Sequence, residues 1–333
     1  MSGCVLITGV SGEVGHSLVQ LVSNNPDVEI IAIDIHEPEA NLKSKIKDFI
    51  LGNICDANLV NQIFQKYNFD NVFHLAAILS TSGERNPELA HQVNVQGTFN
   101  LLSECAKLSK TIKFIFPSSI AAYGLPNINI KMSSPPVKEI DFCQPITIYG
   151  RSKLYCEMLG EYYSRYYKLL DLEEKDRNID FRCVRFPGLI SATTLPSGGT
   201  SDYAPEMIHA GAQGNNYECF VRPDSTIPFM AMPDGAKALI DISEAKKENL
   251  KRIIYNIAAF SISAKEIEEK VHKFFPSVQI TYVPHERRQK IVDSWPKEID
   301  DTEAQKDWGW KPNYDLTRTF EEYLIPTIKN RYK

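Results

Sequence analysis

Cys4-Val5-Leu6-Ile7-Thr8-Gly9-Val10-Ser11-Gly12-Glu13-Val14-Gly15 is the run that decides the fold. Its first five residues are almost continuously apolar, as a short strand buried on both faces requires. The glycines that follow stand at G-x-x-G-x-x-G spacing and lead into a helical stretch reaching about Asn24. Gly9, Gly12 and Gly15 permit a tight turn, let backbone N–H groups approach a pyrophosphate, and let helix pack on strand. The helix N-terminus, with Glu13 and Val14, supplies the partial positive charge an anion needs. A glycine trio alone is weak evidence; joining a strand to a helix at the head of the chain, it predicts a dinucleotide site.

The segments downstream repeat the rhythm. Val28 to Ile33 predicts a second buried strand, and Asp34 ends it. There a carboxylate can bond both hydroxyls of an adenosine ribose; the plainer alternative is that Asp34 merely ends a strand. Ile35-His36-Glu37-Pro38-Glu39 offers no arginine to a 2′-phosphate, so NAD is expected over NADP. Phe49 to Gly52 predicts a third strand, with Asn53 and Ile54 positioned to cradle adenine, and a helix follows from about Asp56 to Lys66. Asn71 to Ala77 is a fourth strand, ending in Leu75, Ala76 and Ala77, where small residues let a flat cofactor pass close to the backbone. The polar stretch Ser80 to Arg85 predicts a loop, either an exposed connector or a place where substrate is met. Glu88 to Leu108 predicts a long helix carrying Asn94 among apolar residues. Ile112 to Phe116 is the fifth strand, running out into Pro117-Ser118-Ser119; a Pro-rich loop spans Ser133 to Pro145, a charged surface loop Leu170 to Asp180, and Phe181 to Phe186 is the sixth strand. Strands and helices in this alternation predict an α/β fold, a Rossmann-type doubly wound parallel sheet with ligands at the carboxyl ends of its strands.

After Pro187-Gly188 the pattern changes. Ser197-Gly198-Gly199-Thr200-Ser201-Asp202-Tyr203 is a glycine-rich polar loop before a helix, and Ile253 to Ala258 is a strand expected to return to the main sheet. The chain therefore divides into a cofactor domain, 1–186 plus about 230–262, and a smaller C-terminal substrate-binding lobe, 187–229 plus about 263–333.

Tyr149-Gly150-Arg151-Ser152-Lys153 stands on the helix after the fifth strand. Four positions apart, Tyr149 and Lys153 share a helix face. A free phenol titrates near 10 and is a poor base at neutral pH; an adjacent ammonium favours the phenolate. A tyrosine tuned this way can take a proton from an alcohol while hydride leaves the neighbouring carbon. Ser118 and Ser119 would supply hydroxyls beside the nicotinamide. The same helix continues through Tyr155, Tyr162, Tyr163, Tyr166 and Tyr167, a face suited to packing or to a subunit interface.

Composition narrows the alternatives. Of 333 residues, 43% are hydrophobic and 24% charged, and the net charge of −5 gives no electrostatic case for nucleic acid or an anionic membrane. No apolar run is long enough to suggest a membrane span. The seven cysteines are dispersed, with no C-x-x-C spacing, which fits reduced thiols in an intracellular compartment and argues against a disulfide framework or a metal site. Only Met1-Ser2-Gly3 precedes the first strand, so no signal or transit peptide is visible.

With the glycine turn, Asp34, the Ser118-Ser119 strand end and Tyr149-x-x-x-Lys153 in this order, the chain resembles the extended short-chain dehydrogenase/reductases. Gly198-Gly199-Thr200-Ser201-Asp202-Tyr203-Ala204, Arg185 to Ser191, Asp293-Ser294-Trp295-Pro296 and the Asp300 to Trp310 tail are similar to the short-chain-type L-threonine 3-dehydrogenases within that superfamily. The stretch Asp171 to Asp180 departs from that likeness by its length. The resemblance implies oxidation of L-threonine by NAD to 2-amino-3-ketobutyrate, a homodimer, a mitochondrial setting and a downstream 2-amino-3-ketobutyrate CoA ligase. It also implies roles: Tyr149 as general base, Lys153 and Ser119 as its partners, Ser118 and Asn94 supporting the cofactor and a proton route, and Phe186 beside the cofactor. Ser80, Ser82 and Thr200 suit the substrate carboxylate. Asp202 suits the ammonium or else caps a helix, and Trp295 either touches substrate or fills the second lobe's core. Two rivals stand beside this reading. A nucleotide-sugar epimerase or dehydratase needs cations for a second diphosphate, yet 187–230 holds only Arg222. A catalytically silent NAD sensor has no need of the base.

Overall fold

The computed structural model describes residues 2–171, 178–196 and 198–333. Seven strands build the main sheet: β1 (Gly3–Thr8), β2 (Val28–Asp34), β3 (Asp48–Leu51), β4 (Asn71–His74), β5 (Ile112–Ser119), β6 (Ile179–Phe186) and, after three strands that pair elsewhere, β10 (Ile254–Asn256). Their order is β10-β6-β5-β4-β1-β2-β3, and every neighbouring pair is parallel. The winding reverses between β1 and β4, which places the ligand crevice outside their carboxyl ends. The expected doubly wound sheet is present, with Ile254–Asn256 as its returning edge.

Alternation along β1 explains the layers. Val5 and Ile7 face a cluster with Leu18, Val19 and Val22 of helix Glu13–Val22 and Ala238, Leu239 and Ile242 of helix Met232–Glu244. Leu6 faces the opposite layer, with Val60, Ile63 and Phe64 of helix Ala57–Lys66 and Leu101 and Leu102 of helix Gly97–Cys105. Period-two side chains buried on both faces are what a central parallel strand demands.

A third cluster sits beyond the sheet's carboxyl edge. Three further strands, β7 (Gly188–Ile190), β9 (Thr226–Ala231) and β11 (Phe260–Ser263), form a small sheet, with β9 parallel to β7 and antiparallel to β11. The strands β8 (Tyr217–Cys219) and β12 (Ile280–Tyr282) pair in parallel. Helices Tyr203–Gln213, Ala264–Phe274 and Glu286–Ser294 close this core around Met207, Ile267, Val292 and Trp295.

Several expectations are corrected. Ser80–Arg85 is a helix, not a loop. Helix Ile128–Ser133 precedes the Pro-rich loop. The long helix after β4 runs Pro87–His91, then a π-turn at Gln92–Gln96, then Gly97–Cys105. In the charged stretch from Leu170 to Asp180, residues 172–177 lie outside the described residues, as does Ser197 of the glycine-rich loop. Ile179 and Asp180, read as the end of that loop, open β6.

Candidate active site

Helix Ile148–Glu161 carries Tyr149 and Lys153, and its start is held from three sides. Thr147 caps it by accepting from Gly150 N at 3.0 Å, and Glu84 Oε1 accepts from Ile148 N at 2.7 Å. Gly150 lies so close to the turn after β5 that a Cβ there would stand 2.0 Å from Ala121 O. The tight approach brings Tyr149 to Ser119, whose hydroxyl accepts from Ala121 N at 3.1 Å and hydrogen-bonds the phenol.

Electrostatics here differ from expectation. Burial pushes the Tyr149 phenol up to about 12, and the bond with Ser119 only partly offsets it. Lys153 does not lower it. Lys153 is itself buried, its Nζ donates to Pro117 O at 2.7 Å, and it sits 4.5 Å from the Phe116 ring centroid and 5.8 Å from that of Tyr149. Burial pulls the ammonium down to about 8, with Cys156, Cys183 and Glu157 opposing. For the phenol, desolvation outweighs an ammonium that is turned towards a carbonyl.

Ser118 faces inward, away from the cleft expected for it. Its hydroxyl donates to Glu157, four residues beyond Lys153, and Glu157 also takes Arg185 Nε at 2.9 Å and Nη2 at 2.6 Å. Arg185 Nη1 reaches Glu139 O at 2.7 Å. Glu157 thus ties the helix bearing the base to the strand bearing Ser119.

The glycine turn is close-packed at two of its three glycines. Gly9 has φ +72 and packs so tightly that a Cβ would stand 2.5 Å from Ala76 N, while one on Gly15 would stand 2.5 Å from Gly9 O. A Cβ on Gly12 would meet nothing nearer than 3.4 Å, so the turn is open there. Gly12 gives the first N–H groups of helix Glu13–Val22 no side-chain cap, and N–H groups left so at a helix start are donors an anion can meet. Asp34 accepts from Ser11 N at 2.9 Å and His36 N at 3.0 Å, which holds its carboxylate at the mouth of the turn. Val14, Leu75 and Ala76 line the layers below. Ala77 is partly exposed beyond β4. Asn53 is spent on its own turn, accepting from Cys55 N at 2.9 Å, and Ile54 is buried under Gly97. Phe186 is buried in the sheet cluster.

Asn94 clasps the backbone of Ile78, accepting from its N–H at 2.7 Å and donating to its carbonyl at 2.9 Å. Behind it runs a polar chain that the sequence reading missed. Ala76 N donates to Thr8 Oγ1 at 3.2 Å, Thr8 Oγ1 lies 2.7 Å from His74 Nδ1, His74 Nε2 lies 2.8 Å from Thr98 Oγ1, and Thr98 donates to Asn94 O at 2.6 Å. Since Thr98 spends its one proton on a carbonyl, His74 donates through Nε2 and accepts at Nδ1. Burial, then Lys153, lowers His74 to about 3, so the ring is neutral. The signals available were a histidine inside the apolar run of β4 and a threonine directly before Gly9.

Of the residues expected to meet substrate, Ser80 Oγ lies 2.9 Å from Thr200 Oγ1 although 120 positions separate them. Ser82 is exposed on the same helix and does not join the pair. Asp202 does not cap helix Tyr203–Gln213; it accepts from Gly198 N at 2.8 Å and Gly199 N at 2.6 Å, closing its own loop. Trp295 is 5% exposed and belongs to the third core, against which Tyr149 also packs.

Residues 5–258 match the family described as NAD dependent epimerase/dehydratase. Over 98% of its length the chain is 37% identical to the mitochondrial L-threonine 3-dehydrogenase of Bos taurus, covering 82% of that protein. A monomeric L-threonine 3-dehydrogenase from a metagenome, solved in its apo form, superposes with a TM-score of 0.86 at 35% identity, over 99% of this chain and all of the other. The L-threonine dehydrogenase of Clostridium difficile gives 0.87 at 32% identity, over 99% of each chain. Matched from its first strand through its returning edge strand, with the glycine turn and the Tyr149 helix meeting at the sheet's switch point, this chain belongs to the NAD dependent epimerase/dehydratase family.

Proposed function

We propose that the chain oxidises the β-hydroxyl of L-threonine with NAD, giving 2-amino-3-ketobutyrate. The observation that carries this is the meeting of Ser119 and Tyr149 at the end of β5, together with likeness to L-threonine 3-dehydrogenases along nearly the whole chain. NAD, when bound, supplies the hydride acceptor. Tyr149 takes the hydroxyl proton, and Ser119 bonds the same oxygen and aligns it. Lys153 holds the floor of the site through Pro117 O. The Ser80–Thr200 pair offers two hydroxyls to the substrate carboxylate, and Asp202 offers charge to the ammonium. The elements after β6 that stand outside the main sheet, 187–229 and about 263–333, act as the substrate lobe.

The same likeness supports a mitochondrial setting and delivery of the ketone to a CoA ligase. Tyr155, Met158, Tyr162 and Tyr166 are exposed along one helix and its continuation, which supports a homodimer through that face. Sedimentation equilibrium tests it: loss of the dimer on Met158→Glu supports the face, and a monomeric wild type refutes it. Against a nucleotide-sugar substrate, Arg222 is already paired with Asp293 at 2.9 Å and Asp224 at 3.0 Å. NADH formation with L-threonine, with UDP-sugars and without substrate separates the readings. NADH formation only with L-threonine supports dehydrogenase activity; its absence while NAD still binds refutes it.

A further inference from the structure

Helix Ile148–Glu161 begins on two different supports. Of the N–H groups that a helix start leaves without an intrahelical partner, that of Gly150 is met by Thr147, the residue just before the helix, at 3.0 Å. That of Ile148 is met by Glu84 Oε1 at 2.7 Å, from 64 positions earlier in the chain. Glu84 stands in helix Ser80–Arg85, which is itself held at its head. Asn94 clasps the backbone of Ile78 at 2.7 Å and 2.9 Å, and buried Ser80 meets buried Thr200 at 2.9 Å. The two helices also pack closely where they pass. A Cβ on Gly83 would stand 3.2 Å from Ile148 Cγ2 and 3.4 Å from Ala90 Cβ. Ile148 immediately precedes Tyr149, and its carbonyl accepts from Ser152 Oγ at 2.7 Å, so both of its backbone groups are engaged.

The two supports differ in what they fix. The Thr147 cap is local; it starts the helix and travels with it wherever the helix sits. Glu84 is anchored elsewhere, so its bond fixes where that first turn stands relative to Ser80, Thr200 and the end of β5. We propose that Glu84 is a positioning residue for the base: by taking the Ile148 N–H it holds the phenol of Tyr149 in place against Ser119 and the alcohol it serves. The inference rests on reading Tyr149 as the base of the dehydrogenase. In this role Glu84 acts through Ile148, not on substrate or cofactor. Its bond lies at the surface, and a hydrogen bond exposed to water adds little to folding. Reacting atoms, in contrast, must stand within about 3–3.5 Å of one another, and a full ångström of misplacement costs about a hundredfold in rate. A merely structural role would show in stability first; the positioning role shows in turnover first.

The test is steady-state NADH formation from L-threonine by the full chain at saturating NAD, beside urea unfolding of each variant. Glu84→Ala should lower kcat about tenfold, a fraction of that ångström's cost, with KM for threonine within about twofold and the urea midpoint near that of wild type. Glu84→Gln, which keeps an oxygen to accept the N–H, should restore most of the turnover. Ile148→Pro removes the donor at the first helical position, where proline is accommodated, and Thr147 before it is extended as proline requires. It should reproduce the loss. If one bond carries both effects, the double variant Glu84→Ala with Ile148→Pro is no slower than the worse of the two singles. Wild-type kcat in Glu84→Ala, a raised KM at unchanged kcat, a Gln variant as slow as the Ala one, or multiplied losses in the double variant each overturns the inference. So does a Glu84→Ala chain that no longer folds, since Glu84 would then be structural. A wild type that binds NAD but forms no NADH from L-threonine overturns the dehydrogenase reading, and the inference with it.

Discussion

Glu157→Gln isolates the ion pair beneath the catalytic strand. Glu157 and Arg185 are 0% and 1% exposed, joined by two hydrogen bonds, with Ser118 donating a third and the Tyr123 ring 4.7 Å from the guanidinium. Burial works against the charge on Arg185 and Glu157 restores it. Glutamine keeps the shape but leaves that cation uncompensated, turning an amide N–H towards it or forfeiting the second bond. Breaking a buried pair this way costs about 3–5 kcal/mol, a large share of the roughly 5–15 kcal/mol by which folded proteins are stable. Urea unfolding followed by fluorescence of Trp295, Trp308 and Trp310 reads it, since these rings report on two of the three cores. The double variant Glu157→Leu with Arg185→Met leaves no charge behind and should lose less than the single one. Turnover of Glu157→Gln should fall as well, because Ser118 precedes Ser119 and Glu157 shares a helix with Tyr149. A single variant within about 1 kcal/mol of wild type, or a double variant worse than the single, would refute the reasoning.

Tyr149→Phe should cut turnover with L-threonine by about 10²–10⁴-fold in a steady-state assay while NADH still binds. Thr200→Val should raise KM for threonine about tenfold with smaller change in kcat, the cost of one hydrogen bond to a charged group; an unchanged KM removes the Ser80–Thr200 pair from the substrate site. Asp34→Ser should lower the preference for NAD over NADP by about tenfold or more, read from the two kcat/KM values. His74 is lowered from 6.5 to about 3 on folding, so the unfolded chain takes up a proton that the folded chain refuses. The stability it contributes is present above its unfolded pKa and is lost as pH falls, by about 1.4 kcal/mol per unit. His74→Gln should flatten that part of the urea-midpoint profile, and an unchanged slope would show that His74 is not its source.

The main sheet was legible because its strands are apolar runs bounded by glycines and helices of ordinary length. Cys4 to Thr8 needs no partner to be read as a buried strand. The strands outside the main sheet were not legible in the same way. Gly188–Ile190, Tyr217–Cys219 and Ile280–Tyr282 are three residues each, too short to show a period, and their pairing is set by distant segments. Ser80–Arg85 lacks an apolar stripe and is bound instead by contacts across the cleft, so composition pointed to a loop. In the site, spacing found Tyr149 and Lys153 but not the balance between them. An ammonium's influence depends on where its proton points and how wet it is, and both are tertiary facts. Glu157 stood at helical spacing from Lys153, yet without Arg185 beside it a buried glutamate had no visible reason.

The π-turn at Gln92–Gln96 makes chain length itself a requirement. Gly97 N bonds Gln92 O, one residue further back than an α-helix allows, and the displaced Asn94 carbonyl takes a hydroxyl from Thr98 and a thiol from Cys156. Deleting any one residue there would restore a regular ladder and swing one half of the helix by about 100° against the other. Asn94 would leave Ile78, or Leu101 and Leu102 would leave the core. Redesign that rewards ideal helices would select that deletion first, and would gain a better helix at the expense of the clasp over the cleft.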